Sequence, residues 1–226
     1  MSKLRYFYID EMDAHFVNKV DREQKQAHRQ IVDHFEKKYN VHVTRLRLNR
    51  LRYPVLLWSS MMVNGQASSR DFALALCKNS ASVKGHYEFL QKILFRSTHT
   101  LATLCLLVLE AVPNKHNARF RGLAIQFFEE MQTLLGDDGV LFFPTFPQSA
   151  PYHGWPLIQN TFDYIYCGIF NALGLPATQC PLGLDSQRLP LGIQCIAARG
   201  HDHLPLAVAQ EIEDYMGGWV SPSRTV

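Results

Sequence analysis

The segment Asp137-Asp138-Gly139-Val140-Leu141-Phe142-Phe143-Pro144 combines a turn, a continuous apolar run and a proline. Four consecutive apolar residues predict a strand that is buried on both faces, as in the interior of a parallel or mixed sheet. Pro144 ends the strand, because proline cannot donate a hydrogen bond to a neighbouring strand. Ligands bind α/β proteins at the carboxyl ends of such strands, so the loop Pro144–Pro151 is a candidate site.

Helical patterns lie on either side of this strand in the sequence. From Asn117 to Leu135 the apolar residues recur three and four positions apart, which predicts a helix with one buried face. Asp21 followed by Gln24 predicts a capping box, and the helix that it starts is predicted to run to about Tyr39. Further helices are predicted at 54–63, 87–112, 162–173 and 203–216, and further strands at 4–9, 41–43, 177–180 and 189–197. The alternation of strands and helices as a whole predicts an α/β fold.

The composition is that of a folded protein. The 226 residues are 47% hydrophobic and 12% aromatic, which is enough for a real core and argues against disorder. Residues 1–120 carry 19 Lys and Arg against 10 Asp and Glu, whereas residues 121–226 carry 4 against 10. We interpret the basic series Arg45, Arg47, Arg50 and Arg52 as a solvated face. No nucleic-acid-binding motif accompanies it, so we expect no nucleic-acid partner.

The cysteines and the apolar segments bear on the cellular compartment. Five cysteines, at positions 77, 105, 167, 180 and 195, stand among apolar residues without a Cys-x-x-Cys pair, which predicts reduced core residues of an intracellular protein. The first eight residues lack the apolar core of a secretory signal. The apolar segment Leu101–Leu109 is too short to cross a bilayer, which needs about 20 residues. A buried helix is the preferred interpretation, and peripheral contact with a membrane is the alternative.

His201 and His203 flank Asp202, a pattern that raises the question of a metal site. No third ligand stands nearby, and Asp202 is more readily interpreted as the N-cap of the helix that follows. We therefore expect no metal and no cofactor. Trp219, which follows the two glycines after this helix, is expected to pack back on the body of the protein.

The serines do not meet the needs of a catalytic nucleophile. Such a serine lies on a tight turn between small residues, beside a group that activates it. None of the 13 glycines is followed by serine. The two serine pairs are Ser59-Ser60 in a predicted helix and Ser68-Ser69 in a polar loop, and neither has neighbouring glycines or a nearby lysine. We predict that these 226 residues contain no catalytic residue.

Several motifs occur in a characteristic order: Pro144-Thr145-Phe146-Pro147, Asn171-Ala172-Leu173-Gly174-Leu175-Pro176-Ala177-Thr178, Pro181-Leu182-Gly183, Leu189-Pro190-Leu191-Gly192-Ile193-Gln194 and Gly218-Trp219-Val220-Ser221-Pro222. Their order and spacing resemble the C-terminal part of the amidase-signature serine hydrolases. Within that family, the stretch Gln179–Leu184 and the turn Asp202-His203-Leu204 are most similar to the type 2 fatty-acid amide hydrolases.

The resemblance implies a fold, a reaction and a set of substrate-binding residues. It implies an α/β fold, the C-terminal portion of one amidase domain, with a mixed β-sheet flanked by helices. Its expected parts are a first part at 1–64, a variable helical insertion at 65–116 and a motif-bearing part at 117–226. In the family, a Ser nucleophile attacks an amide carbonyl while a Lys and a second Ser relay the proton. We expect these groups to lie upstream, so that this chain alone is inactive. The residues expected to line an acyl channel are Thr145, Phe146, Tyr152 to Trp155, Asn171, Thr178 and Gln179.

Two functions of different class remain open from the sequence. In the first, the chain is part of a hydrolase whose substrate is a fatty-acid amide. In the second, it is a non-catalytic interaction or regulatory partner of a full-length amidase, which it would meet through exposed strand edges. A membrane-associated location is an expectation under either function. The side chains of Asn171 and Gln194 leave a substrate role and a loop-locking role open, since an amide both donates and accepts hydrogen bonds.

Overall fold

The computed structural model of the protein describes residues 1–62, 90–92, 94, 117–152, 155, 159 and 161–219. Contacts within the chain group Met1–Trp58 with Leu123–Val226 in one compact unit, and Ser59–Gly122 in another. The division at 64 and 116 stays a prediction. The predicted helix at 87–112, the apolar segment Leu101–Leu109 and the pair Ser68-Ser69 lie outside the described residues, apart from a helical stretch at 90–92.

The described part of the chain forms a mixed five-stranded sheet with flanking helices. Its elements are β1 (Arg5–Tyr8), α1 (Arg22–Tyr39), β2 (Val43–Arg45), a 3₁₀ turn (Asn49–Arg52), α2 (Pro54–Met62), α3 (Asn117–Leu135), β3 (Gly139–Pro144), α4 (Ile165–Leu173), β4 (Ala177–Leu184), β5 (Pro190–Ile196) and α5 (His203–Met216). The strand order is β2-β1-β3-β5-β4. Strand β1 is parallel to β2 and β3, whereas β5 is antiparallel to β3 and β4. The predicted fold class is confirmed.

Strand β3 occupies the centre of the sheet and is buried along its whole length, as its apolar run predicts. On one face, the Phe142 ring packs against Tyr6 of β1 and Phe35 of α1, at centroid separations of 5.8 and 5.2 Å. The rings of Tyr6 and Phe35 are themselves 4.9 Å apart. Large aromatic side chains contribute the most buried area per residue, so this trio is a principal contact between α1 and the sheet.

Helix α1 begins at its predicted cap. The side chain of Asp21 accepts a hydrogen bond of 2.7 Å from the Gln24 backbone amide, which satisfies one of the free N–H groups of the first turn. The reciprocal half of the capping box does not form. Gln24 instead uses its amide to bind the backbone of Gly192 in β5, donating over 2.5 Å and accepting over 3.3 Å. The backbone N–H of Asp21 donates to the carbonyl of Pro147.

Several predicted boundaries and contacts were wrong. Strand β4 extends to Leu184 and β2 lies at 43–45, while α4 begins only at Ile165. Asp202 is the N-cap residue of α5, as predicted, although its side chain makes no capping hydrogen bond. Trp219 is 70% exposed and does not pack on the body of the protein.

The cysteine prediction is confirmed for part of the described residues. Cys180 and Cys195 are buried free thiols, whereas Cys167 is free but exposed, so the core position predicted for Cys167 was wrong. Cys77 and Cys105 lie outside the described residues. A thiol on a solvent-facing position of a helix is compatible with the apolar sequence around it, because one side of each helix must face outward.

No described helix is long and apolar enough to cross a membrane.

Candidate functional site

The loop after β3 faces the β4–β5 hairpin, because both hairpin strands continue beyond the end of β3. Pro144 pairs with Ile193, and Ile193 pairs in turn with Cys180. The next residue of the loop, Thr145, donates a hydrogen bond from its hydroxyl to the side-chain carbonyl of Gln179 on β4. Two residues that the sequence proposed for substrate binding therefore meet at the carboxyl end of the central strand.

Because Gly192 has no side chain, the side chain of Gln179 can lie against its backbone. A Cβ at this position would overlap Nε2 of Gln179 and would lie 3.0 Å from the carbonyl oxygen of Cys180. Because that overlap is too close for any real Cβ contact, a larger residue would displace the Gln179 side chain. The glycine thus serves a close approach of the neighbouring strand.

Gln194 holds the carboxyl end of β3 in place. Its side chain is buried, with 4% of its surface exposed. The Nε2 group donates to the carbonyl of Pro144 over 3.2 Å and to the carbonyl of Tyr166 in α4 over 2.8 Å. This buried amide therefore has the loop-locking role, because both its donor hydrogens are taken up by backbone carbonyls.

The first turn of α1 anchors the outer side of the same loop and the hairpin turn. Asp21 donates its backbone N–H to Pro147 over 2.8 Å. The Glu23 carboxylate accepts hydrogen bonds from both the backbone N–H and the hydroxyl of Ser186, each 2.7 Å long. In the hairpin turn, a hydrogen bond from Ser149 and bonds from neighbouring backbone amides lower the pKa of Asp185. The loop is thus held by a helix and by a hairpin.

The segment that follows β1 runs along the same edge of the sheet. The backbone N–H of Ile9 donates to Phe142 over 3.0 Å. Further along, the hydroxyl of the buried Tyr166 donates to the carbonyl of Asn18 over 3.1 Å and accepts from the Met12 amide over 3.4 Å. Burial raises the pKa of Tyr166, so this phenol stays neutral and serves as a fixed hydrogen-bond partner.

The carboxylate of Asp163 holds the end of that segment. It is fully buried and accepts hydrogen bonds from the backbone N–H and the side-chain amide of Asn18, both 2.8 Å long. The residue before it, Phe162, is thereby brought to the segment that contains Phe16. Their ring centroids are 6.3 Å apart.

Exposed aromatic rings gather at this point. Phe16 is 85% exposed and lies in the left-handed backbone region, with φ of 64°. The His15 ring lies 6.4 Å from Phe16 and 5.8 Å from Tyr53, which is itself 46% exposed. A non-glycine residue in this region costs on the order of 1–3 kcal/mol, and such strain is most common at functional sites. We name His15, Phe16, Tyr53 and Phe162 the aromatic cluster.

The other predicted site residues do not join the Thr145–Gln179 contact. Asn171 is exposed in the last turn of α4, where its backbone carbonyl accepts a hydrogen bond of 3.1 Å from Gly174. Thr178 is half-buried and pairs with Cys195, and Phe146 is half-buried in the loop. Among the described residues, no hydrogen bond links the Asn171 side chain to Thr145 or Gln179. The substrate-binding role of all five residues stays a prediction.

The aromatic cluster could not be found from the sequence. Aromatic residues in polar segments are as compatible with burial as with exposure, and the residues of the cluster are far apart in the chain. The contact between Asn18 and Asp163, which brings two of the segments together, is a tertiary one. The predicted N-cap pattern was the one signal that pointed to the anchoring helix.

The histidine and serine candidates do not assemble a chemical site. His201 lies 3.3 Å from the carboxylate of Asp137, and its ring is 5.9 Å from that of His203. Within the described ranges no group of three ligating side chains could hold a metal ion. Ser59 and Ser60 lie in α2, in agreement with the predicted helix.

Comparison with known proteins places the chain in a family. The sequence profile of the family described as Amidase matches residues 9–206. The chain belongs to the amidase family. This amidase-family chain is 34% identical to the human (Homo sapiens) protein named fatty-acid amide hydrolase 2, and 35% identical to fatty-acid amide hydrolase 2-B of Danio rerio. Those matches include 99% and 98% of this chain, but the chain spans only 43% of the length of each relative.

Solved structures of two proteins named as hydrolases share the fold. A 6-aminohexanoate cyclic dimer hydrolase complexed with substrate superposes with a TM-score of 0.68 over 98% of this chain and 47% of its own, at 18% identity. The allophanate hydrolase of Kluyveromyces lactis gives a TM-score of 0.63 over 96% of this chain and 33% of its own, at 17% identity. At such identities these similarities concern the fold alone.

Proposed function

We propose that this amidase-family chain forms the acyl-side wall of a hydrolase of lipid amides. The observation that carries the proposal is the aromatic cluster at the carboxyl end of the sheet, in which Phe16 is highly exposed and has a strained backbone. Hydrogen bonds through Tyr166 and Gln194 link Asn18, two residues after Phe16, to Pro144, the residue before Thr145. An apolar surface beside a few fixed polar groups is the usual form of a site for a ligand with an apolar body and a polar end.

In this proposal, the polar pair Thr145 and Gln179 orients the amide group, and the aromatic cluster contacts the hydrocarbon chain. Hydrolysis adds water across the C–N bond and releases a carboxylate and an amine. The proposal places the nucleophile outside these residues, because no glycine of the chain is followed by serine and the pair Ser59-Ser60 lies within a helix. The similarity to fatty-acid amide hydrolases supports the choice of a lipid amide.

The binding half of the proposal is tested with a fluorescent lipid amide and the purified 226-residue chain. Because Phe16 is the most exposed ring of the cluster, we expect Phe16→Ser to weaken binding at least fivefold. Trp219→Ser is the matched control, since Trp219 is also an exposed aromatic residue, at 70%. Equal affinities of the two variants would refute a binding role for the cluster.

The catalytic half is tested on the same material. Intact-mass analysis after treatment with a fluorophosphonate should show no adduct, and lipid-amide turnover should be absent. A stoichiometric adduct accompanied by turnover would identify a serine nucleophile within these residues and contradict the proposal.

The second function, an interaction partner that binds through strand edges, has weaker support. At the β2 edge, the N–H of Val43 donates to the Glu36 carboxylate over 3.0 Å, so it is not available to another strand. At the β4 edge, Pro181 lacks an N–H, and the pairing with β5 is irregular between Pro181 and Leu184. Such features limit strand addition. Light scattering of the purified chain tests self-association, and liposome flotation tests peripheral membrane contact.

A further inference from the structure

A cavity lies beside the 3₁₀ turn, and neither Thr145 nor Gln179 is among the described residues that line it. Its volume is about 510 Å³, within the range of pockets that bind small molecules. The described residues that line it are Arg47, Leu48, Asn49, Arg50, Tyr53, Leu57, Leu123 and Glu130. Four of these eight side chains are aliphatic or aromatic, so much of the wall is apolar.

Among the described residues that line this cavity, positive charges outnumber negative ones: Arg47 and Arg50 stand against Glu130. Arg50 is neutralised by Glu130, with nitrogen–oxygen distances of 2.7 to 2.9 Å, and a further bond of 3.1 Å joins it to Gln126. The preceding arginine of the series, Arg45, is neutralised by Asp10 over 2.8 Å. Arg47 is exposed, and within the described ranges no carboxylate lies within ion-pair distance of it. In this part of the chain, one positive charge is therefore left without a partner at the wall of an apolar cavity.

We propose that this cavity is a binding site for a lipophilic carboxylate. The Arg47 guanidinium would bind the carboxylate through paired N–H donors, a geometry that matches the two oxygens of the anion. The hydrocarbon chain would contact Leu48, Tyr53, Leu57 and Leu123. The cavity shares Tyr53 with the aromatic cluster, but Arg47 and the other lining residues lie outside that cluster. The inference therefore does not depend on the lipid-amide proposal, although hydrolysis of a lipid amide releases a carboxylate of this class.

Calorimetric titration of the full chain with decanoate tests the proposal, with decanol and acetate as probes that keep only the chain or only the anion. We expect decanoate to bind at least tenfold more tightly than either probe. Arg47→Gln should weaken decanoate binding at least tenfold without changing the binding of decanol, and Arg47→Lys should retain part of the affinity. Arg22→Gln, in the first turn of α1, is the matched control and should bind as the unaltered chain does.

Three results would overturn the proposal. The first is the absence of decanoate binding, and the second is decanol binding as tight as that of decanoate. The third is equal binding by the Arg47→Gln and Arg22→Gln variants, which would indicate detergent-like association. Circular dichroism of each variant establishes that it is folded, and Leu123→Asp provides an independent test because it places a negative charge on the apolar wall and should also abolish binding.

Discussion

At the scale of single residues, Gln194 shows how one buried amide organises the candidate site. We expect Gln194→Leu to lower the free energy of unfolding by about 3 kcal/mol, because it leaves the carbonyls of Pro144 and Tyr166 without their donor. Urea denaturation measures the loss. Gln187→Leu in the exposed hairpin turn is the control and should change stability by less than about 0.5 kcal/mol. A similarly small effect of Gln194→Leu would contradict the locking role.

The buried side chain of His28 lowers the free energy of unfolding, because its polar atoms are removed from water without a hydrogen bond. Among the residues that the structure describes, neither of its ring nitrogens has a hydrogen-bond partner, and 1% of its surface is exposed. Burial lowers the pKa of His28 to about 4, the nearby Asp10 opposes the shift, and Arg29 adds to it. Because the folded state binds the proton more weakly than the unfolded state, stability is fully present above pH 6.5 and is lost as the pH falls toward 4.

We therefore expect His28→Leu to stabilise the protein by about 1–2 kcal/mol at pH 7, because it removes unpaired polar atoms. The gain should grow as the pH falls from 6.5 toward 4, which thermal unfolding over a pH series measures. His203→Leu at an exposed site should leave that pH dependence unchanged. An unaltered pH profile in His28→Leu would show that His28 is not the group that titrates.

Residue roles at the site could be predicted only in part. Thr145 and Gln179 came from motif resemblance, and the structure brings them into contact. The function of Gly192 and the second partner of Gln24 depend on which strands are neighbours, which a single sequence does not state. The side chain of Gln24 is compatible with a capping box, and only the position of β5 determines that it bonds to Gly192 instead.

At the scale of elements, a carboxylate on α5 joins that helix to α1. Glu211 accepts hydrogen bonds of 2.6 Å from each of His34, Lys38 and Tyr39. Burial alone would raise the pKa of Glu211, but the hydrogen bonds from Lys38, Tyr39 and His34 outweigh it and lower the pKa to about 2. The His34 ring also stacks on Tyr215, at a centroid separation of 3.8 Å.

The lowered pKa gives the contact a pH dependence of known sign. Since the folded value lies below the ordinary 4.5, the stabilisation is full above pH 4.5 and is lost as the pH falls toward 2. Glu211→Gln should cost about 2–3 kcal/mol at pH 7 and flatten the stability profile below pH 4.5. Acid titration of both proteins measures this. Glu129→Gln, at an exposed glutamate of α3, is the control. An equal loss of stability in that variant would show that the contact between α1 and α5 does not cause the effect of Glu211→Gln.

Whole elements were easier to predict than their ends. The helices at 22–39, 117–135 and 203–216 were located to within a residue or two, because an apolar stripe persists over many turns. Strand β4 was predicted four residues too short, because a proline such as Pro181 usually indicates the end of a strand. In the structure Pro181 lies on an edge strand, where a missing N–H is tolerated.

At the scale of the whole molecule, the cysteines report on the integrity of the sheet. The sulfur atoms of Cys180 and Cys195 lie 3.6 Å apart in the buried β4–β5 pair, whereas Cys167 is exposed. Alkylation of the native chain followed by peptide mapping should modify Cys167 and leave Cys180 and Cys195 intact until urea unfolds the sheet. Labelling of Cys180 and Cys195 at the same rate as Cys167 without denaturant would show that the sheet opens under native conditions.

The first turn of α1 has a consequence for how the site opens. Three backbone amides depend on this turn for their hydrogen bonds. The N–H of Asp21 donates to the carbonyl of Pro147, that of Ser186 to the Glu23 side chain, and that of Gly192 to the Gln24 side chain. If the turn unwinds, all three amides meet water together, although they lie in a loop, a hairpin and a strand. In hydrogen–deuterium exchange they should form one cooperative unit, with a common protection factor and a common response to denaturant.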